Sequence, residues 1–442
     1  MKLPCQPGFF FSILFIQSCA GQSKPFAPGE VIEKVTCLSD TAESYALYIP
    51  AKGNTTALPV VYFFDPHGSG SLPLHKYKAS ADSLGFIFIG SNTSKNGNDF
   101  QYSEELWRIM SEDAKKRLNI DTQRIYTAGF SGGAKVAGHV ALNHPEIKGV
   151  LAMGAGLPDG TPAGNYTFSF TAMAGEGDMN MIELVAINAA LNNTTTRHRI
   201  MLYPAKHEWA PATIMHQALT AFQFDAMFNK TIPVDKKLID SYITNSKDLV
   251  ETFRKEGNAI KAFDECVLTI NVLIDVAPNV SWFQKKASDI AATPEYRQQL
   301  QTQQRLLQTE HQTKTLYMRQ FEQGDLNYWT KTIADLNINA KAATAEGAMY
   351  QRLLAYLSLA FYSISNQQIR SNRNDVAQHF VDLYKLADPT NSEAWYFSAL
   401  LHARFNQKEA AEADLLKAKS FGFDDMNRVQ QQPEFQKLNI RL

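Results

Sequence analysis

The stretch Arg124-Ile-Tyr-Thr-Ala-Gly-Phe-Ser-Gly-Gly-Ala-Lys135 decides the reading of this chain. A short β-rich run meets Gly129-Phe130-Ser131-Gly132-Gly133, and a helix opens through Ala134 and Val136. Strand, sharp turn with a central serine, and helix make the G-x-S-x-G elbow, in which a strained serine lifts its Oγ above the end of a sheet. The turn leaves no room for side chains two residues to either side of the serine, so glycine stands at both places. Ser131 is the candidate nucleophile.

Outward from this elbow the grammar is that of alternating strands and helices. Short apolar runs at 31–35, 45–49, 59–64, 85–90, 124–128, 149–153, 167–173 and 198–203 read as strands, the first two as an opening hairpin. Helical periodicity fills 74–84, 103–117, 133–143, 181–191 and 210–228. Continuous apolar strands alternating with helices predict an α/β class fold, a doubly wound and mostly parallel sheet, over residues 25–230. From about residue 232 the β signal fades, and residues 231–442 read as an all-α domain. Near its end, Trp395, Ala399, Ala411, Leu415 and Ala418 fall at the spacings of a tetratricopeptide unit, a helix pair of about 34 residues. The preceding unit supplies Ala377, Val381, Tyr384 and Pro389, with Ala377 lying 34 positions before Ala411. The last unit is degenerate, with Ser398 and His402 where the pattern expects Leu and Tyr.

At 442 residues the chain is long for one core, and two domains are expected. A formal net charge of −1 offers no electrostatic footing for nucleic acid or for anionic membranes. The first nineteen residues read as a signal peptide: Lys2, an apolar run from Phe9 to Ile16, then Gln17-Ser18-Cys19-Ala20. The Ile-Gln-Ser-Cys end resembles a bacterial lipobox, which implies lipidation at Cys19, although an ordinary cleaved signal fits the same residues. Of four cysteines, Cys5 and Cys19 fall in this leader; Cys37 and Cys266 remain, as one disulfide or as two buried thiols.

A nucleophilic serine needs a general base, and the base needs a carboxylate to orient it. In hydrolases on such a sheet these follow in the order Ser, acid, His, each on a loop past a strand end. The run 167–173 ends in Ala174-Gly-Glu-Gly-Asp178, and 198–203 ends in Pro204-Ala-Lys-His207-Glu-Trp209. Asp178 is the expected acid and His207 the expected base; Glu176 and Asp159 are the competing carboxylates. One oxyanion donor is expected from the amide of Gly132, and a second from Gly68 or Ser69 in the turn Asp65-Pro-His-Gly-Ser-Gly70. His67 and Trp209 are candidates for the substrate pocket, with packing as the alternative for Trp209. No H-E-x-x-H, no C-x-x-C and no phosphate-binding glycine fingerprint occurs, so no metal and no cofactor is expected.

On the His67-Gly68 turn, Arg124-Ile-Tyr before Gly129-Phe-Ser-Gly-Gly133, and His207-Glu-Trp209, the chain resembles the α/β-hydrolase superfamily. It looks most like the polyhydroxybutyrate-depolymerase and feruloyl-esterase branch. The resemblance covers about residues 30–225 and departs from that branch in lacking a cysteine in the 65–70 loop. It implies a cofactor-free serine esterase with Ser131, His207 and Asp178 as its triad, acting on a small-molecule or polymer-linked ester. A peptidase or amidase on the same triad, and a non-catalytic scaffold binding a protein partner through its helical repeats, are the alternatives. The leader implies export, as a periplasmic or outer-membrane lipoprotein touching the membrane only through its lipid anchor.

Overall fold

Eight strands form one sheet: β1 (Val31–Thr36), β2 (Ser44–Tyr48), β3 (Leu58–Phe64), β4 (Ile87–Ser91), β5 (Ile120–Phe130), β6 (Ile147–Met153), β7 (Ser169–Gly175) and β8 (His198–Tyr203). The computed structural model describes residues 26–53, 55–277, 279–423 and 425–440, so the leader and Cys19 lie outside the described residues. The strand order is β1-β2-β4-β3-β5-β6-β7-β8. β2 runs antiparallel to β1 and β4, and every other pair is parallel.

Alternate residues of each strand point to opposite faces, and both faces are covered. Val60, Tyr62 and Phe64 pack with Trp107 of α2 (Phe100–Arg117), Ala137 of α3 (Gly132–Asn143) and Leu184 of α4 (Met181–Leu191). Val61 and Phe63 pack on the other face with Tyr77 of α1 (Ser71–Leu84) and Phe222 of α5 (Ala212–Phe228). β3 and β5 are neighbours, yet α1 follows β3 on one face while α3 follows β5 on the other. The connections part above the carboxyl ends of these two strands, which is where a doubly wound sheet opens a crevice. The helical stretch expected at 103–117 starts earlier, at Phe100, because the Asp99 carboxylate caps it by accepting from the Tyr102 amide at 2.8 Å.

Beyond α5 the described residues are helical: α6 (Lys236–Lys255), α7 (Ala259–Leu273), α8 (Ser281–Ala291), α9 (Pro294–Gln323), α10 (Leu326–Asn339), α11 (Ala345–Arg370), α12 (Asn374–Ala387), α13 (Ser392–Arg404), α14 (Lys408–Ser420), α15 (Met426–Gln431) and α16 (Pro433–Lys437). Asp235, Asn258, Thr293, Asp325 and Thr344 each cap the helix that follows them. Ala377, Ala399, Ala411 and Ala418 are fully buried in one cluster of α12, α13 and α14, where small side chains let helices approach closely.

The two halves share a core. Ala221, Phe224 and Met227 of α5 pack with Ile239 and Tyr242 of α6 and with Val272 and Leu273 of α7. Arg197, at the start of β8, donates to the Val272 carbonyl at 2.6 Å and to the Asp225 carboxylate at 2.6 Å. Cys37 and Cys266 are both buried free thiols in separate clusters, which excludes the disulfide alternative in this structure. Burial pushes each thiol up to about 12, so neither is a ready nucleophile.

Candidate active site

Ser131 sits between β5 and α3 with φ 53° and ψ −123°, a conformation that non-glycine residues seldom adopt and that costs about 1–3 kcal/mol. The surrounding glycines make the turn sterically feasible. A Cβ on Gly129 would lie 2.1 Å from the Gly133 carbonyl oxygen, and one on Gly133 would lie 2.0 Å from the Phe64 carbonyl oxygen. The Ser131 amide donates to the Met153 carbonyl at 2.8 Å, tying the elbow to the end of β6.

His207 follows β8 and Asp178 follows β7. His207 Nε2 lies 3.0 Å from Ser131 Oγ, and His207 Nδ1 lies 3.0 Å from Asp178 Oδ2. A carboxylate can only accept, so Nδ1 carries the proton and Nε2 is left to accept from the serine hydroxyl. Asp178 is 1 % exposed. Its other oxygen accepts from the Asn180 amide at 2.8 Å, and the Asn180 side chain donates to the Gly154 carbonyl at 2.7 Å. The Phe130 ring stands 4.7 Å from the His207 ring and walls one side of it. Beneath, the Tyr203 phenol is pushed upward by burial, with the Asp178 carboxylate adding to the shift, and stays neutral.

The competing carboxylates are engaged elsewhere. Glu176 turns outward to Lys261 Nζ at 2.6 Å, and Asp159 is an exposed partner of Lys135 Nζ at 2.7 Å.

Around the expected oxyanion site the structure departs from expectation. Gly132 is the first residue of α3, so its amide has no intrahelical acceptor and points outward with the positive end of the helix dipole. The amides of Gly68 and Ser69 are not free in this way. Gly68 donates to the Asp65 carbonyl at 3.2 Å, and Ser69 donates to the Asp65 carboxylate at 3.2 Å, as does His67 at 2.8 Å. A buried Asp65 has drawn the turn's donors onto itself, which takes both residues out of the expected role in this conformation. The geometry favours the packing alternative for Trp209. It is 6 % exposed, its Nε1 donates to the second Asp65 oxygen at 2.9 Å, and it packs among Phe63, Tyr77 and Phe130. Packing, not a pocket wall, is what this indole provides. The His67 side chain is exposed at the rim.

Two further residues shape the site: Asp65 heads a turn legible in the sequence but has no role expected of it there, and Asn96 carries no sequence signal. Asp65 links the 65–70 turn to the His207 segment through Trp209. Asn96 lies over the elbow, with its Oδ1 1.9 Å from where a Cβ on Gly132 would stand, and its amide donates to the Pro66 carbonyl at 2.8 Å. Among the described residues no group of three His, Cys, Asp or Glu side chains could hold a metal ion. No described helix is long and apolar enough to cross a membrane.

No family model and no curated protein matches the sequence. Solved structures similar to it include a ferulic acid esterase, 15% identical over 44% of this chain and 95% of its own, with a TM-score of 0.35. An S-formylglutathione hydrolase from Agrobacterium tumefaciens is 17% identical over 44% of this chain and 92% of its own, with a TM-score of 0.34. A fluorophosphonate-binding serine hydrolase of Staphylococcus aureus is 11% identical over 44% of this chain and 98% of its own, with a TM-score of 0.37.

Proposed function

We propose that this chain is a serine hydrolase that cleaves carboxylic esters through an acyl-enzyme. One observation carries the reading: His207 stands between Ser131 Oγ and Asp178 Oδ2, 3.0 Å from each. Ser131 Oγ attacks the acyl carbon as His207 Nε2 takes its proton. Asp178 holds the imidazole in the tautomer that accepts, and stabilises the imidazolium that forms. The carbonyl oxygen gathers negative charge at the N-terminus of α3, where the Gly132 amide meets it; a single such donor is worth about 10²–10³ in rate. The imidazolium then gives its proton to the departing alcohol, and water, deprotonated by the same nitrogen, clears the acyl group.

The preference for esters over amides rests on the sequence resemblance around His67-Gly68, Gly129–Gly133 and His207-Glu-Trp209. A fluorophosphonate probe is expected to label the wild-type protein and not Ser131→Ala. Nitrophenyl esters are expected to turn over faster than aminoacyl anilides. Equal labelling of both proteins would end the serine-hydrolase reading, and a preference for anilides would replace the esterase by an amidase.

The helical half is proposed to be tetratricopeptide-like and to present a protein partner to the site, supported by the buried alanines of α12 to α14. The leader supports export with a lipid at Cys19. Fatty-acid labelling that survives Cys19→Ser would refute the anchor.

A further inference from the structure

The Asp178 loop is gripped from the helical half. Arg352 of α11 donates from Nη1 to the Glu176 carbonyl at 2.6 Å. Its Nε lies 2.8 Å and its Nη2 2.6 Å from the Glu310 carboxylate of α9. Arg352 is 4 % exposed and Glu310 fully buried. Beside it, Gln351 closes over the next residue of the loop: a Cβ on Gly177 would come within 2.3 Å of Gln351 Oε1. Lys261 of α7 adds its pair to the Glu176 carboxylate at 2.6 Å.

The inner edge of the same loop is joined to the segment that bears His207. The Glu176 amide donates to the Tyr203 carbonyl at 2.8 Å, and the Gly177 amide to the Ala205 carbonyl at 2.9 Å. Past the end of β7 the turn Gly175-Glu-Gly-Asp178 closes on one bond of its own, the Asp178 amide donating to the Gly175 carbonyl at 3.0 Å, and its glycines add little stiffness. Its place is set by contacts on both edges, and the outer set belongs wholly to α7 and α11.

Stability alone does not account for Arg352. A buried ion pair recovers its desolvation cost only with excellent geometry, and a matched apolar pair would fill the same space at least as well. What an apolar pair cannot do is present a charged N–H to a carbonyl two residues before Asp178.

We propose that Arg352, backed by Glu310, is a positioning residue: the helical half holds the Glu176–Gly177 turn and so keeps Asp178 against His207. This rests on the hydrolase reading of Ser131, His207 and Asp178, and makes the helical half a working part of that site.

The test uses the full chain. Arg352→Leu alone leaves Glu310 Oε2 buried without a donor, with only Lys314 Nζ, 2.7 Å from Oε1, still paired to the carboxylate, and is expected to fold less stably. Glu310→Leu/Arg352→Leu removes both charges, lets Lys314 turn to solvent, and is expected to fold with a stability nearer the wild type than Arg352→Leu, the Glu176 carbonyl alone having lost its donor. Two readouts are taken: ester kcat and KM, and the far-downfield proton resonance of His207 Nδ1–H, identified by its absence in His207→Gln. The double variant is expected to lose about 10- to 100-fold in kcat with KM within about twofold, and to lose or broaden the resonance. Arg404→Leu, which breaks the 2.8 Å pair to Glu434 in the last helices, is expected to change neither. A double variant with wild-type kcat and resonance overturns the proposal, as does a fall in kcat with the resonance intact. Should the wild type hydrolyse no ester, the resonance decides alone: its loss in the double variant upholds the positioning role while the esterase reading falls, and its persistence overturns the role.

Discussion

Trp209→Phe separates two roles for the residue two positions beyond the proposed base. In the structure the indole Nε1 donates to Asp65 Oδ2 at 2.9 Å, while Asp65 Oδ1 accepts from the amides of His67 and Ser69 at 2.8 and 3.2 Å. Phenylalanine keeps most of the contact with Phe63, Tyr77 and Phe130 but removes the N–H, leaving one oxygen of a buried carboxylate without a donor. A hydrogen bond to a charged group contributes roughly 1.5–3 kcal/mol, and the smaller ring adds about 1 kcal/mol of lost packing. A loss of about 2.5–4 kcal/mol in urea unfolding is therefore expected. Asp65→Asn in the same background provides the cycle. An Asn that still accepts from His67 and Ser69 must turn its amide donor toward the indole N–H. Asp65→Asn should thus be costly with Trp209 present and much less so with Phe at that position, a coupling of about 1.5–3 kcal/mol. The preference among nitrophenyl esters of increasing chain length should be unchanged in Trp209→Phe. A shifted chain-length preference with wild-type stability would refute the reasoning and restore the indole to the pocket wall.

Glu265 of α7 is 8 % exposed, and burial pushes its carboxyl up from the ordinary 4.5 to about 7. Below pH 4.5 it is protonated in both states; between 4.5 and 7 the unfolded chain releases the proton first, so folding stability falls as pH rises, by roughly 3 kcal/mol at most above pH 7. Glu265→Gln is expected to raise stability at pH 8 and leave it nearly unchanged at pH 4, measured by urea unfolding; equal effects at both pH values would contradict the shift. Gly132→Ala would drive a Cβ to within 1.9 Å of Asn96 Oδ1 and is expected to cost about 1–3 kcal/mol. Most of that cost should be recovered by adding Asn96→Ala, and no recovery would mean that the conflict lies in the backbone.

The elbow, the eight strands and the order of serine, acid and histidine are all legible along the chain, because each depends on local rules. Glycine spacing sets the turn around Ser131, apolar runs mark strands covered on both faces, and the residues just past strand ends collect at one rim. The small residues Ala377, Ala399, Ala411 and Ala418 likewise mark where helices can approach closely. What the tertiary structure alone decides is which partner a buried polar group finds. Asn96 and Arg352 sit in stretches with no distinguishing pattern, and Asp65, though it heads a legible turn, finds its Trp209 partner 144 positions away. The sheet order places β3 beside β5, and the packing of α11 over the β7 loop brings Arg352 to Glu176. The same neighbourhoods decide that Asp178, and not Glu176 or Asp159, reaches His207, that Asp65 occupies the amides of Gly68 and Ser69, and that Trp209 is buried. Periodicity specifies which face of an element is apolar. The partner across that face is set by the assembly of elements, where unsatisfied buried donors and acceptors are too costly to leave and must find one another.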